Sequence, residues 1–216
     1  MYYSISKSFD TKVKRSPRVL EVAEAFGLGL EEKHFTIYDN LELYINQGDI
    51  VYITGSSGSG KSQLLKILYE QMSPLKPTNI DSVSFEDKPL IDQIGNDTNE
   101  AIRILSAAGL NDAHLFIRSP NQLSDGQLYR FRIAKLIESG SKAWFADEFG
   151  AVLDRTTAKL VAFNLRKQAQ RAKATVVVAT THKDLREELA PHLYIDKRYG
   201  DAIEVNYDEE FERTQQ

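Results

Sequence analysis

Apolar residues recur along the chain in short runs of two different periods. Ile50–Thr54, Ala143–Ala146 and Thr175–Ala179 are continuous apolar stretches of strand length, as in strands buried on both faces. Between them, Gln63–Gln71, Gln127–Glu138 and Thr156–Lys173 carry apolar residues at helical spacing. Such alternation predicts a mainly parallel sheet with helical crossovers. Ser16-Pro17 reads as an N-cap followed by a first-turn proline, with Val19, Val22, Ala23 and Phe26 at helical spacing and Gly27 as the stop. Residues 1–18, with five basic residues and one acid, read as a loosely held arm. Phe35–Ile45 predicts two strands turning at Asp39-Asn40, an N-terminal antiparallel portion. Ile80–Phe85 predicts a strand, and residues 87–120 a helical subdomain inserted into the single domain expected over residues 1–216. Two late strands, His192–Asp196 and Ala202–Val205, precede an acidic tail.

Composition narrows the function. A chain of 216 residues with 42% apolar and 27% charged residues has the balance of one globular domain. The net charge of −4 carries no global signal for nucleic acid, and the absence of cysteine removes disulfides, thiolate metal sites and cysteine nucleophiles. No apolar stretch is long enough to span a bilayer and the N-terminus lacks a signal-peptide core, so a cytoplasmic location is expected.

The chemistry begins at Gly55-Ser56-Ser57-Gly58-Ser59-Gly60-Lys61-Ser62, a match to G-x-x-x-x-G-K-[ST] between a buried strand and a helix. Glycines let successive N–H groups turn towards phosphate oxygens, and the helix adds its positive N-terminus. Lys61 is expected on the β- and γ-phosphates of ATP, and Ser62 on Mg²⁺. The motif alone leaves other phosphate-loop enzymes open. The strand Lys142–Ala146 ends in Asp147 and Glu148, placed to hold Mg²⁺ and to polarise the attacking water, although a solvated strand end looks the same.

Leu123-Ser124-Asp125-Gly126-Gln127 is one residue from the LSGGQ signature, and with Arg130–Lys135 it resembles the ABC ATPases. Ala151-Val152-Leu153-Asp154 resembles that family's D-loop and Thr180-Thr181-His182 its switch histidine, so the likeness spans about residues 37–185. It implies a phosphate-loop α/β fold and a homodimer with ATP between the phosphate loop of one chain and Ser124, Gly126 and Gln127 of the other. It also implies Glu148 and His182 in catalysis and Asp125 and Asp154 at the dimer interface. A lone histidine after a strand is also commonly structural. Phe26 is the candidate to stack on adenine, with His34, Phe35 and a plain core role as competitors.

Three departures stand out: Asp125 in place of glycine, Glu86 where a metal-contacting glutamine is usual, and only 36 residues between Glu86 and Leu123. The short segment and Glu86 favour a clamp with a nucleic-acid or protein partner over a transporter subunit. Asp147–Gly150 and Asp87–Asp92 also resemble a non-transporter ABC subgroup often joined to an acetyltransferase-like domain. A non-hydrolysing dimerisation module is the third reading, and Glu148 speaks against it. Arg155, Lys159, Arg166 and Lys173 line one face of the 156–173 helix, a candidate nucleic-acid face or a plain solvated one.

Overall fold

The computed structural model describes residues 1–208; the acidic tail expected after the last strand lies largely outside them. Its centre is a six-stranded sheet in the order β4-β5-β6-β3-β7-β8. The strands are β3 (Ile50–Gly55), β4 (Thr78–Asn79), β5 (Ala143–Ala146), β6 (Thr175–Ala179), β7 (Leu193–Lys197) and β8 (Ile203–Tyr207). All neighbours are parallel except β7 and β8.

Alternation along each buried strand divides the core in two. Tyr52, Trp144, Val176 and Val178 face one side with α3 (Thr98–Ala107), α5 (Asp125–Ser139) and α6 (Arg155–Ala172). Val51, Ile53, Phe145 and Val177 face the other, with α2 (Lys61–Gln71) and the two-stranded sheet of β1 (Tyr2–Thr11) and β2 (Lys33–Tyr44). Full burial of a side chain such as Ile53 or Val177 stabilises by about 1.5–3 kcal/mol, so both faces must be covered. On α6 the buried face is Ala158, Val161, Ala162, Leu165 and Ala169, as its spacing predicts, with Gln168 added.

The helix α1 (Pro17–Phe26) has the expected ends: Ser16 accepts from the Val19 N–H, and Gly27 closes it at φ +61°. The N-terminus departs from expectation. The arm is a ten-residue strand whose Tyr3 and Ile5 are buried against the core. Its partner is one strand and not a hairpin, because the turn signal at Asp39-Asn40 is a bulge. Asn40 takes φ +45°, and its side chain and N–H bond Ser4 and Ser6.

The strand expected over Ile80–Phe85 also fails. Asn79 accepts from the Asp81 N–H at 2.9 Å and starts a 3₁₀ turn, which leaves only Thr78–Asn79 in the sheet. Residues 87–120 hold α3, the one-turn α4 (Ala113–Phe116) and one 3₁₀ turn, Leu90–Gln93, and the remainder is irregular up to the 3₁₀ turn that starts at Pro120.

Candidate functional site

The phosphate loop leaves the C-terminal end of β3, the end of a parallel sheet at which ligands bind. Gly55 sits at φ +143°, and a Cβ there would lie 2.0 Å from the Lys197 carbonyl oxygen. Gly60, at φ +108°, is equally confined, because its Cβ would meet Ile37 at 2.7 Å. Tyr38 donates to the Gly60 carbonyl and fixes the loop from β2. Lys61 is 8% exposed and donates to the carbonyls of Gly55 and Ser56 at 2.9 and 2.8 Å. Burial pushes the Lys61 pKa down, while Asp147 and Glu148 pull it back up.

A cavity of about 570 Å³ opens over this loop. Ser57, Gly58, Gly60, Lys61 and Ser62 form its floor, and Asp147, Glu148, Thr180 and Thr181 form one wall. The two acids arrive because β5 is separated from β3 only by β6. Glu148 takes φ +47°, a left-handed conformation that costs an L-residue about 1–2 kcal/mol. It is held there by the bond from its N–H to Asp147 Oδ1, by Phe149 N–H donating to the Ala179 carbonyl and by the turn Glu148–Ala151. The Ser62 hydroxyl and Asp147 carboxylate on one cavity are hard oxygen donors, a set that fits Mg²⁺ completed by phosphate and water.

His182 follows these wall threonines, half-buried, with its N–H on Thr180 Oγ1. Ser56 lends its carbonyl to Lys61, and Ser59 is buried behind the loop.

Two expected residues lie elsewhere. Phe26 is 76% exposed at the end of α1 and is not on the cavity wall. The aromatic at the wall is Phe9, stacked at 5.3 Å on its cross-strand partner Phe35, with Lys7 and Ile37 beside it. Distance in sequence misled here because α1 loops out between β1 and β2. The alternation of Tyr3, Ile5, Lys7 and Phe9 is the signal that could have found Phe9.

Glu86 likewise faces away. It pairs with Lys88 at 2.6 Å, which holds its carboxyl below the ordinary value, and it lines a separate groove with Gln93 and Lys135. The acid near Asp147 is instead Asp81, paired with Arg132 at 3.4 Å. Burial raises its pKa, and Arg132 and the Asp147 backbone oppose the rise.

The signature residues lie off the cavity too, at the start of α5. Ser124 and Gln127 form a reciprocal capping box, and Asp125 is exposed in the first turn. A Cβ on Gly126 would fall 2.6 Å from Thr157 Cγ2 on α6. Asp154 caps α6 through the Thr157 N–H at 3.0 Å, and the Thr157 side chain first, then that N–H, holds its carboxyl low. The basic line of α6 is largely engaged: Arg155 pairs with Asp184, Lys159 with Glu188 at 3.1 Å, and Arg166 donates to the Glu187 carbonyl.

A phosphate loop on a central parallel strand, facing an acidic strand end one strand away, defines a phosphate-loop NTPase. Comparison with known proteins narrows the class. A family model described as ABC transporter matches residues 38–93. The cytochrome c biogenesis ATP-binding export protein CcmA of Hahella chejuensis is 29% identical over 191 residues, covering 75% of this chain and 89% of that one. CcmA of Rhizobium etli is 28% identical over 183 residues, with 69% and 82% covered. The ATP-binding cassette MJ0796, solved as a dimer in a post-hydrolysis state with ADP and Pi, superposes at a TM-score of 0.64. It has 19% identity and covers 96% of this chain and 98% of its own.

The sequence likeness and the fold thus support an ABC-type ATPase nucleotide-binding domain, an ATP hydrolase with ATP as substrate and Mg²⁺ as cofactor. No helix among the described residues is long and apolar enough to cross a membrane.

Proposed function

We propose that two copies of this chain pack head to tail and hydrolyse ATP at the joint. The observation that supports this reading is the incompleteness of the cavity. The phosphate loop and the acids line it, whereas Ser124 and the α5 N-terminus lie off its walls and expose Asp125 to solvent.

In a second copy those N-terminal N–H groups, with Ser124 and Gly126, would face the γ-phosphate. Lys61 would exchange its two carbonyl partners for the β- and γ-phosphates. Ser62 and Asp147 would hold Mg²⁺, which when bound neutralises developing phosphate charge. Glu148, fixed in its left-handed turn, would accept the proton of the attacking water. His182 would orient that water and the γ-phosphate, and Asp154 would set the dimer contact. The Phe9–Phe35 stack, in place of Phe26, is the proposed adenine platform.

A sizing column with MgATP tests this reading through Glu148→Gln. The variant is expected to keep ATP binding, lose turnover and accumulate a dimer. Wild-type turnover would refute the role of Glu148, and a monomer at saturating ATP would refute the sandwich.

For the load, the short stretch between Glu86 and Leu123 supports a clamp on a protein or nucleic acid, acting in the cytoplasm. The likeness to CcmA export proteins supports a second reading, an ATPase subunit serving a separate membrane chain. The engaged basic line of α6 gives little support to a nucleic-acid face there. ATPase stimulation by DNA, by RNA or by lipid vesicles separates the two.

A further inference from the structure

The central strand β3 carries a tyrosine where only packing is required. Tyr52 is fully buried between β6 and β7, in the strand that runs into the phosphate loop. A buried hydroxyl is costly unless paired. This one is paired, and its partner lies in the loop after β6. It donates to the His182 carbonyl at 2.5 Å.

Around it the same loop is tied at other points. His182 N–H bonds Thr180 Oγ1, Lys183 bonds Asp196 at 2.8 Å, and the Leu185 side chain is fully buried. The neighbouring hydroxyl of Tyr194 bonds Thr54, so it does not compete for the loop.

We propose that Tyr52 is a positioning residue for the loop 180–185: its hydroxyl clasps the His182 carbonyl and so sets the position of His182 beside the cavity wall formed by Thr180 and Thr181. The clasp also joins that loop to the strand feeding the phosphate loop, so the two halves of the cavity move as one piece. The inference rests on the role proposed above for His182.

The test is Tyr52→Phe, which keeps the ring and deletes only the clasp. Turnover is expected to fall by about tenfold with the KM for ATP unchanged, as for a misplaced group that does not itself bind substrate. In a His182→Ala background the same change should cost no more than about twofold, since the two act in series. Tyr194→Phe, which removes a neighbouring hydroxyl that the loop does not use, should stay within about twofold of wild type. Hydrogen exchange gives a readout independent of activity: Tyr52→Phe should raise exchange across residues 182–185, whereas Tyr194→Phe should not.

Exchange across residues 182–185 that Tyr52→Phe leaves unchanged would overturn the clasp. If His182→Ala cuts turnover and Tyr52→Phe does not, the inference falls and the reading of His182 stands. If His182→Ala turns over like wild type, it is the reading of His182 that falls.

Discussion

Gly126→Ala separates two reasons for a glycine in the signature. One is the approach of a partner's phosphate; the other lies within the chain. An added Cβ would sit 2.6 Å from Thr157 Cγ2, well inside contact distance. Thr157 cannot back away as a whole, because its backbone N–H bonds Asp154 at the start of α6. Overpacking of this kind costs about 1–3 kcal/mol. Alanine recovers part of that, up to about 1 kcal/mol, through its better helix propensity. A net loss centred on about 1 kcal/mol remains, which for a chain of this size lowers Tm by roughly 2–4 °C. The assay is thermal unfolding without nucleotide, where no dimer contact contributes. Thr157→Ser removes the clashing methyl and keeps the capping hydroxyl, so the double variant should regain most of the lost Tm. If it regains stability but not ATP-driven dimerisation, both reasons operate. A Gly126→Ala protein as stable as wild type, or one that Thr157→Ser does not rescue, would refute the argument.

Other perturbations have equally definite outcomes. In a Glu148→Gln background, Asp125→Gly should tighten the ATP-driven dimer, and Asp125→Asn should recover most of that gain; both effects should shrink with salt, as for a repulsion between Asp125 and the opposite phosphate. The Lys183 hydrogen bond holds the Asp196 carboxyl below its ordinary value of 3.8, so the stability it contributes is present above that value and is lost as pH falls through the lower folded one. Acid-unfolding curves should therefore show Asp196→Asn weaker at neutral pH and flatter on the acid limb. Glu86→Gln should leave the Mg²⁺ concentration for half-maximal ATPase unchanged, since Glu86 faces Lys88 and a separate groove; a raised requirement would place it at the metal after all.

What could be read from the sequence was what short-range chemistry determines. The helix ends at Ser16 and Gly27 follow from a serine side chain that bonds the N–H three residues on and from a glycine free to take a positive φ. The buried strands β3, β5 and β6 and the cavity floor of Gly58, Gly60, Lys61 and Ser62 follow from contiguous runs of residues. Long-range pairing was not legible. Residues 1–11 look like a loose polar arm because one face of β1 meets solvent, and only its partner β2 makes it a strand. The same gap hid Phe9, brought to the cavity by a register in which it opposes Phe35. Glu86 was misjudged because the strand expected to aim it ends at Asn79. Tyr52 was hidden for a related reason: its loop partner is 130 residues further on.

The geometry around α1 has a consequence for engineering. Thr11 and Lys33 are direct partners at the open end of the two-stranded sheet, so the chain leaves and re-enters the body of the protein at one point. Everything from residue 12 to residue 32 hangs from that point, with Ala23 the one buried side chain of α1. A two-residue turn such as Asn-Gly could join the strands directly. The segment therefore behaves as a detachable cassette, and its base is a natural socket for grafting another helix or a reporter domain next to the nucleotide cavity.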